Sequence, residues 1–208
     1  MNMTRILAFG DSITYGAWDT QSGWAERIKS RAHIATVASQ GSHKVQVINL
    51  GIGGDTSRGL LKRIKSEIQS RVSANWPFVF LISIGTNDQR EVQGKPEVGV
   101  DEYASNLMEI ITIAKQYTDS IIVLGLPPLG APALDFKGQV YSDEHVRQYD
   151  NILKSIAERQ GVEYFDTRSL FESHDSLFAY DMIHPNDAGH EVIAESVVKL
   201  LANHGIEI

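Results

Sequence analysis

An α/β fold, a five-stranded parallel sheet between two layers of helices (a three-layer α/β/α sandwich), is predicted by three observations. Five short apolar runs alternate with five stretches of helical periodicity from one end of the chain to the other. The third run, Phe78-Val79-Phe80-Leu81-Ile82-Ser83-Ile84, is apolar without alternation, as a strand covered on both faces must be. Loops rich in Gly, Asp and Asn follow the runs, and in a parallel sheet such loops gather at one edge, where ligands bind. The 208 residues suit one domain spanning 1–208, and 42% hydrophobic with 22% charged residues can supply its core.

The first strand is Ile6-Leu7-Ala8-Phe9, stopped by Gly10. A helix follows from Ser22, a suitable cap residue. Ser39 to Lys44 is a polar break before the second strand, Val45 to Leu50, which ends in Gly51-Ile52-Gly53-Gly54-Asp55-Thr56. Leu60, Leu61, Ile64, Ile68 and Val72 fall at helical spacing, with Lys62, Arg63, Lys65 and Glu67 on a solvated face. After the third strand come Gly85-Thr86-Asn87-Asp88 and a loop with Gly94, Pro96 and Gly99. Asp101 then caps a helix whose buried stripe is Tyr103, Leu107, Ile110, Ile111 and Ala114.

Ile121 to Leu124 is the fourth strand. Gly125 to Tyr141, with Pro127, Pro128 and Pro132, reads as the longest irregular segment, a length usually reserved for function. A helix over Ser142 to Gln160 and a strand over Val162 to Asp166 follow. A polar loop through His174 and Asp181 leads to a last helix, Asn186 to Asn203, with Ile193, Val197, Leu200 and Leu201 inward.

Composition excludes several classes. The net charge of -7 and the absence of any Lys/Arg run longer than two argue against nucleic acid or an anionic membrane as partner. No cysteine is present, which removes disulfides, thiol nucleophiles and thiolate metal sites. The N-terminal apolar run is too short for a signal peptide, and no stretch is long enough to cross a bilayer, so a cytoplasmic location is expected. Oligomeric state is not legible in the sequence.

The chemistry resides in the loops. Ser12 sits in Gly10-Asp11-Ser12-Ile13-Thr14, just past the first strand. A serine needs an adjacent base to attack a carbonyl. Asp181-Met182-Ile183-His184-Pro185 offers one: an acid three residues before a histidine can reach the far imidazole nitrogen, fixing the tautomer and stabilising the imidazolium. Acyl transfer also needs donors for an oxyanion. The N–H groups of Ser12 and Gly54 and the side-chain amide of Asn87 are candidates. Asp11 and Asp88 read as loop braces that accept backbone N–H bonds. His33, His43, His145, His174, His190 and His204 read as surface or helix residues. Trp18, Trp24 and Tyr15 are candidates for a pocket wall, although packing at helix starts is the commoner use of such rings.

The blocks Gly10-Asp11-Ser12-Ile13, Gly54-Asp55-Thr56, Gly85-Thr86-Asn87-Asp88 and Asp181-Met182-Ile183-His184-Pro185, in that order, resemble the four sequence blocks of the SGNH hydrolases, also called GDSL esterases/lipases. The resemblance covers nearly the whole chain, and Ile13 in place of leucine is its one departure. It implies a flavodoxin-like sheet of strand order 2-1-3-4-5. It further implies Ser12 as nucleophile, Gly54 and Asn87 as oxyanion donors, and Asp181 and His184 completing a triad. No cofactor or metal is implied, and the substrate is a small ester, with thioesters and O-acetylated sugars as alternatives. A metal-dependent phosphoesterase using Asp11, Asp55, Asn87 and Asp88 is a rival reading, weakened by the lack of further histidines. A non-catalytic binding module on a hydrolase scaffold is another.

Overall fold

The computed structural model describes residues 2–72, 76–131, 133–136, 138–171 and 175–208. Pro132 and His174, named above, lie outside that set. Five parallel strands form the main sheet: β1 (Asn2–Gly10), β2 (His43–Gly51), β3 (Phe78–Ser83), β4 (Ile121–Leu124) and β5 (Glu163–Phe165). They run in the order β2-β1-β3-β4-β5, as expected. Gly10 is in register with Gly51 on one side and Ser83 on the other, so β1, β2 and β3 release their loops at one edge.

The pleat divides each strand's residues between two cores. Leu7, Phe9, Phe80 and Ile82 pack with α2 (Ser57–Gln69), α3 (Val100–Ala114) and α4 (Asp143–Gln160). Ile6, Ala8, Val79 and Leu81 pack with α1 (Gly23–Ala38) and α5 (Asp187–Asn203) on the other face. The predicted stripe of α3 and the four inward residues of α5 are all buried. No described helix is long and apolar enough to cross a membrane.

Local chemistry corrects several boundaries. Ser22 does precede α1, but it is left-handed (φ 66°) and makes no side-chain cap. Asp19 does that work, accepting from the N–H groups of Gln21 (3.1 Å) and Gly23 (2.8 Å) while Arg27 grips both its oxygens. Helix α3 is capped by Gly99, and Asp101 lies in its first turn, where its charge suits the helix dipole. Val72 lies beyond the end of α2 and is half-exposed.

The larger correction concerns Gly125 to Tyr141 and the loop before α3. They contribute to a second, antiparallel sheet made of Lys95–Pro96, Glu91–Val92, Gln139–Ser142 and Ala133–Phe136, in that order. Gln93 (φ 54°) and Gly94 (φ 73°) both occupy the left-handed region, the requirement of a tight two-residue hairpin. Pro96 is accommodated because its strand is at an edge, where no ladder N–H is needed.

Candidate active site

Behind Gly10 the chain turns into a single helical turn, Ser12–Tyr15, whose first N–H groups face the sheet edge. Asp11 caps it: its Oδ1 accepts from the Ile13 N–H at 2.9 Å. Burial pushes the Asp11 carboxyl up to about 6 against the pull of that bond. Gly10 is required by space, since a Cβ there would lie 2.2 Å from Thr14 Oγ1 and 2.5 Å from the Ser83 carbonyl. Sharp turning of this kind leaves the Ser12 hydroxyl facing out of the sheet.

The loop before α5 reaches it from the other end of the chain. Asn186 holds that loop, donating to the Ser176 and Phe178 carbonyls at 2.7 and 3.0 Å while capping α5 through its oxygen. The Met182 carbonyl accepts from the Gly130 N–H at 2.8 Å. On this frame His184 Nε2 lies 2.8 Å from Ser12 Oγ, and His184 Nδ1 lies 2.6 Å from Asp181 Oδ2. Asp181 Oδ1 accepts from the N–H groups of Ile183 (3.1 Å) and His184 (3.0 Å). Burial works against ionisation of Asp181, but the imidazole and these backbone donors outweigh it and hold the carboxyl at about 2. It therefore stays a carboxylate at neutral pH.

Gly54 and Asn87 line the same cleft. Gly54 adopts φ 76°, and the space a Cβ would take there is open. The buried Asn87 amide donates to the Asp55 carbonyl at 3.0 Å, and its Oδ1 accepts from Tyr141 Oη at 3.3 Å and Arg90 Nη1 at 3.5 Å. With the oxygen held by Tyr141 and Arg90, the amide N–H groups are aimed at the Asp55 carbonyl and, at 3.5 Å, at Asp11 Oδ2. The structure thus brings together all five residues singled out from the sequence. The cleft encloses about 300 Å³ and is also walled by Tyr15, Trp18 and Ile183.

Asp88 braces as expected, its oxygens accepting from the Ser57 N–H (3.0 Å) and Ser57 Oγ (2.5 Å). Burial pushes its carboxyl up to about 7. Arg63 departs from the expectation of a merely solvated face. It reaches back to Asp55 Oδ2 (2.9 Å) and to the Gly10 carbonyl (3.1 Å), tying α2 to the serine turn. The carboxylates of Asp11, Asp55 and Asp88 are each engaged by such partners. Among the described residues no group of three or more His, Asp or Glu is arranged to hold a metal.

Three contributors were not legible as such. Trp18 was a candidate wall only, yet its indole N–H donates to Asp181 Oδ2 at 2.7 Å and its ring meets the His184 ring edge-on, centroids 6.1 Å apart. Tyr141 and Arg90, which orient Asn87, arrive from the small sheet and its approach. Trp24 instead packs into the core, and His190 is wholly buried on α5.

Comparison with known proteins agrees with this geometry. The model of the GDSL-like Lipase/Acylhydrolase family matches residues 8–192. An acetylxylan esterase of Geobacillus stearothermophilus is 27% identical over 165 residues, 74% of this chain and 71% of that protein. The platelet-activating factor acetylhydrolase IB subunit alpha2 of Homo sapiens is 24% identical over 161 residues, 76% of this chain and 65% of that relative. A lipase/acylhydrolase from Enterococcus faecalis, of known crystal structure, superposes with a TM-score of 0.75 at 20% identity, covering 97% of this chain and 96% of that one, a likeness of fold.

Proposed function

From its place in the GDSL-like lipase/acylhydrolase family, to which the chain belongs and which makes it an ester-hydrolysing serine hydrolase, we propose that it cleaves short-chain carboxylic esters through an acyl-enzyme on Ser12. The carrying observation is the unbroken run Asp181–His184–Ser12, with 2.6 and 2.8 Å between the interacting atoms. Ser12 Oγ attacks the ester carbonyl as His184 Nε2 takes its proton, and Asp181 stabilises the imidazolium that results. The oxyanion is met by the N–H groups of Ser12 and Gly54 and by the Asn87 amide. Collapse of the tetrahedral intermediate expels the alcohol, which receives the proton from His184. Water, activated by the same imidazole, then releases the acid from Ser12.

A cleft of about 300 Å³ favours a short acyl group over a long one. The names of two relatives, an acetylxylan esterase and an acetylhydrolase, point the same way. An O-acetylated carbohydrate is accordingly the more specific form of this reading. The test is a fluorophosphonate probe on the purified chain, read by mass spectrometry, alongside p-nitrophenyl acetate turnover. Labelling at Ser12, lost in Ser12→Ala, is expected; a folded protein that is neither labelled nor active would overturn the proposal.

A further inference from the structure

Hydrogen bonds join the three loops that carry the donors proposed for the oxyanion. The Gly10 carbonyl, two residues before Ser12, accepts from the Ile52 N–H at 3.1 Å. The Asp55 N–H donates to the Ile52 carbonyl at 3.1 Å, closing a four-residue turn with Gly54 at its third position, where φ is 76°. Glycine meets that requirement without strain. The Asp55 carbonyl accepts from Asn87 Nδ2 at 3.0 Å, and the same amide faces Asp11 Oδ2 at 3.5 Å. The turns of Ser12 and Gly54 and the side chain of Asn87 are therefore members of one hydrogen-bonded ring.

Arg63 clasps this ring from outside. It stands in the middle of α2 beside Leu60 and Ile64, both fully buried, so its stem starts from a fixed point. Its Nε donates to Asp55 Oδ2 at 2.9 Å, and its Nη2 lies 2.8 Å from the same oxygen while donating to the Gly10 carbonyl at 3.1 Å. The other Asp55 oxygen accepts from the Thr56 N–H at 3.0 Å. Gly59 makes room for that carboxylate, since a Cβ there would lie 1.8 Å from Asp55 Oδ1. Only 15% of the Arg63 side chain and 9% of the Asp55 side chain are exposed, so solvent screens the pair little. A planar guanidinium holds a carboxylate and a carbonyl at once in fixed directions, which a flexible ammonium does not.

The choice of acceptors separates this contact from a plain tether between helix and sheet. One acceptor immediately precedes Asp11 and Ser12, and the other belongs to the residue that follows Gly54. Seating of α2 is already supplied by Leu60, Ile64 and Ile68, all fully buried. Oxyanion donors act by being aimed before the reaction begins, and a small misplacement is costly in rate.

We propose that Arg63 is a positioning residue for the oxyanion donors, fixing the turns of Ser12 and Gly54 relative to each other through Gly10 and Asp55. The proposal rests on the serine-esterase reading and adds to it a residue outside the triad. Arg63→Met alone would strand a buried carboxylate. The test therefore uses Arg63→Met/Asp55→Asn, which removes both charges, and Arg63→Lys, which keeps the charge and loses the fork. Cooperative urea unfolding establishes that each variant is folded. Two quantities are then measured: kcat/KM on p-nitrophenyl acetate and Ki for 1,1,1-trifluoroacetone. Ser12 Oγ adds to the ketone carbonyl carbon, its proton passing to His184 and the π pair to the ketone oxygen, so the adduct places an oxyanion where the transition state has one.

The double variant is expected to lose about 10- to 100-fold in kcat/KM with Ki raised by the same factor, and the lysine variant about 3- to 10-fold in both. A folded double variant with wild-type kcat/KM and Ki would overturn the role. So would a loss of kcat/KM with Ki unchanged, which places the damage away from the oxyanion. If the double variant does not fold, the lysine variant decides by the same comparison. A wild-type enzyme with neither turnover nor fluorophosphonate labelling would overturn the esterase reading and this role with it, whereas an active wild type with unaffected variants removes the role alone.

Discussion

The indole N–H of Trp18 donates at 2.7 Å to Asp181 Oδ2, the same oxygen that lies 2.6 Å from His184 Nδ1. A donor on that oxygen orients the carboxylate and draws off part of its charge, so Trp18 acts through Asp181 as a positioning residue. In Trp18→Phe the donor goes while an aromatic wall remains. The carboxylate then stabilises the imidazolium more strongly but is less well aimed. The expected outcome is a fall in kcat of about tenfold, in keeping with one charge-assisted hydrogen bond, with the acid limb of the pH–rate profile displaced to higher pH. A purely structural role for the ring would change neither limb, and an unmoved profile would count against the positioning role.

Asn87 gives the next prediction. Asn87→Ala removes one of the donors proposed for the oxyanion, and loss of such a donor lowers kcat by about 100- to 1000-fold. Tyr141→Phe leaves the donor in place and removes the hydroxyl that holds its oxygen at 3.3 Å. A neutral hydrogen bond of that kind is worth about 0.5–1.5 kcal/mol, so a kcat loss of about 3- to 10-fold is expected. Steady-state kinetics on p-nitrophenyl acetate separate the two. A Tyr141→Phe enzyme as damaged as Asn87→Ala would mean that Tyr141 itself meets the oxyanion.

The contrast between these residues and those named from the sequence is physical. Ser12, Gly54, Asn87, Asp181 and His184 were legible because parallel-sheet topology delivers every strand-end loop to one edge, whatever lies between. Trp18 and Asp181 are 163 residues apart, and no local pattern links an indole to a carboxylate over that distance. Arg63 sits on a helix face whose neighbours are charged, so periodicity assigned it to solvent. Only the packing of α2 against β1 brings its guanidinium to the Gly10 carbonyl. The small antiparallel sheet escaped notice because its strands are two to four residues long and one turn places a glutamine, Gln93, at positive φ where asparagine or aspartate is the usual signal.

Gly10 is a geometric requirement of the serine turn. An alanine Cβ would meet the fully buried Thr14 side chain at 2.2 Å and the Ser83 backbone carbonyl at 2.5 Å. Neither can retreat without shifting β1 or β3. Gly10→Ala is therefore expected to cost about 1–3 kcal/mol of stability, the range for overpacking a core, and to displace Ser12 from His184. Urea unfolding measures the first effect, and the rate of fluorophosphonate labelling of the still-folded protein measures the second. Wild-type labelling in a destabilised variant would show that the turn adapts independently of its base.

His190 makes a prediction about acid stability. It is fully buried on α5, where its Nδ1 accepts from the Trp24 N–H at 3.3 Å. Burial disfavours the imidazolium and lowers its pKa from 6.5 to about 4. Between those values the unfolded chain binds a proton that the folded one does not, so stability from this group is lost as pH falls through the window. Asp11 and Asp88 act in the opposite sense. Their folded carboxyls, raised to about 6 and about 7, keep protons that the unfolded chain has already released above 3.8, so their contribution declines as pH rises. The wild-type profile is the sum of these opposing slopes, and a substitution is needed to isolate one. His190→Gln retains an acceptor oxygen for the Trp24 N–H and cannot titrate. Urea midpoints should fall less between pH 6.5 and pH 4.5 in the variant than in the wild type. An equal fall would show that His190 does not carry the acid sensitivity of this window; Asp19 and Asp181, which ion pairing and hydrogen bonds hold below their ordinary range despite their burial, give up their contribution only below the unfolded value of 3.8.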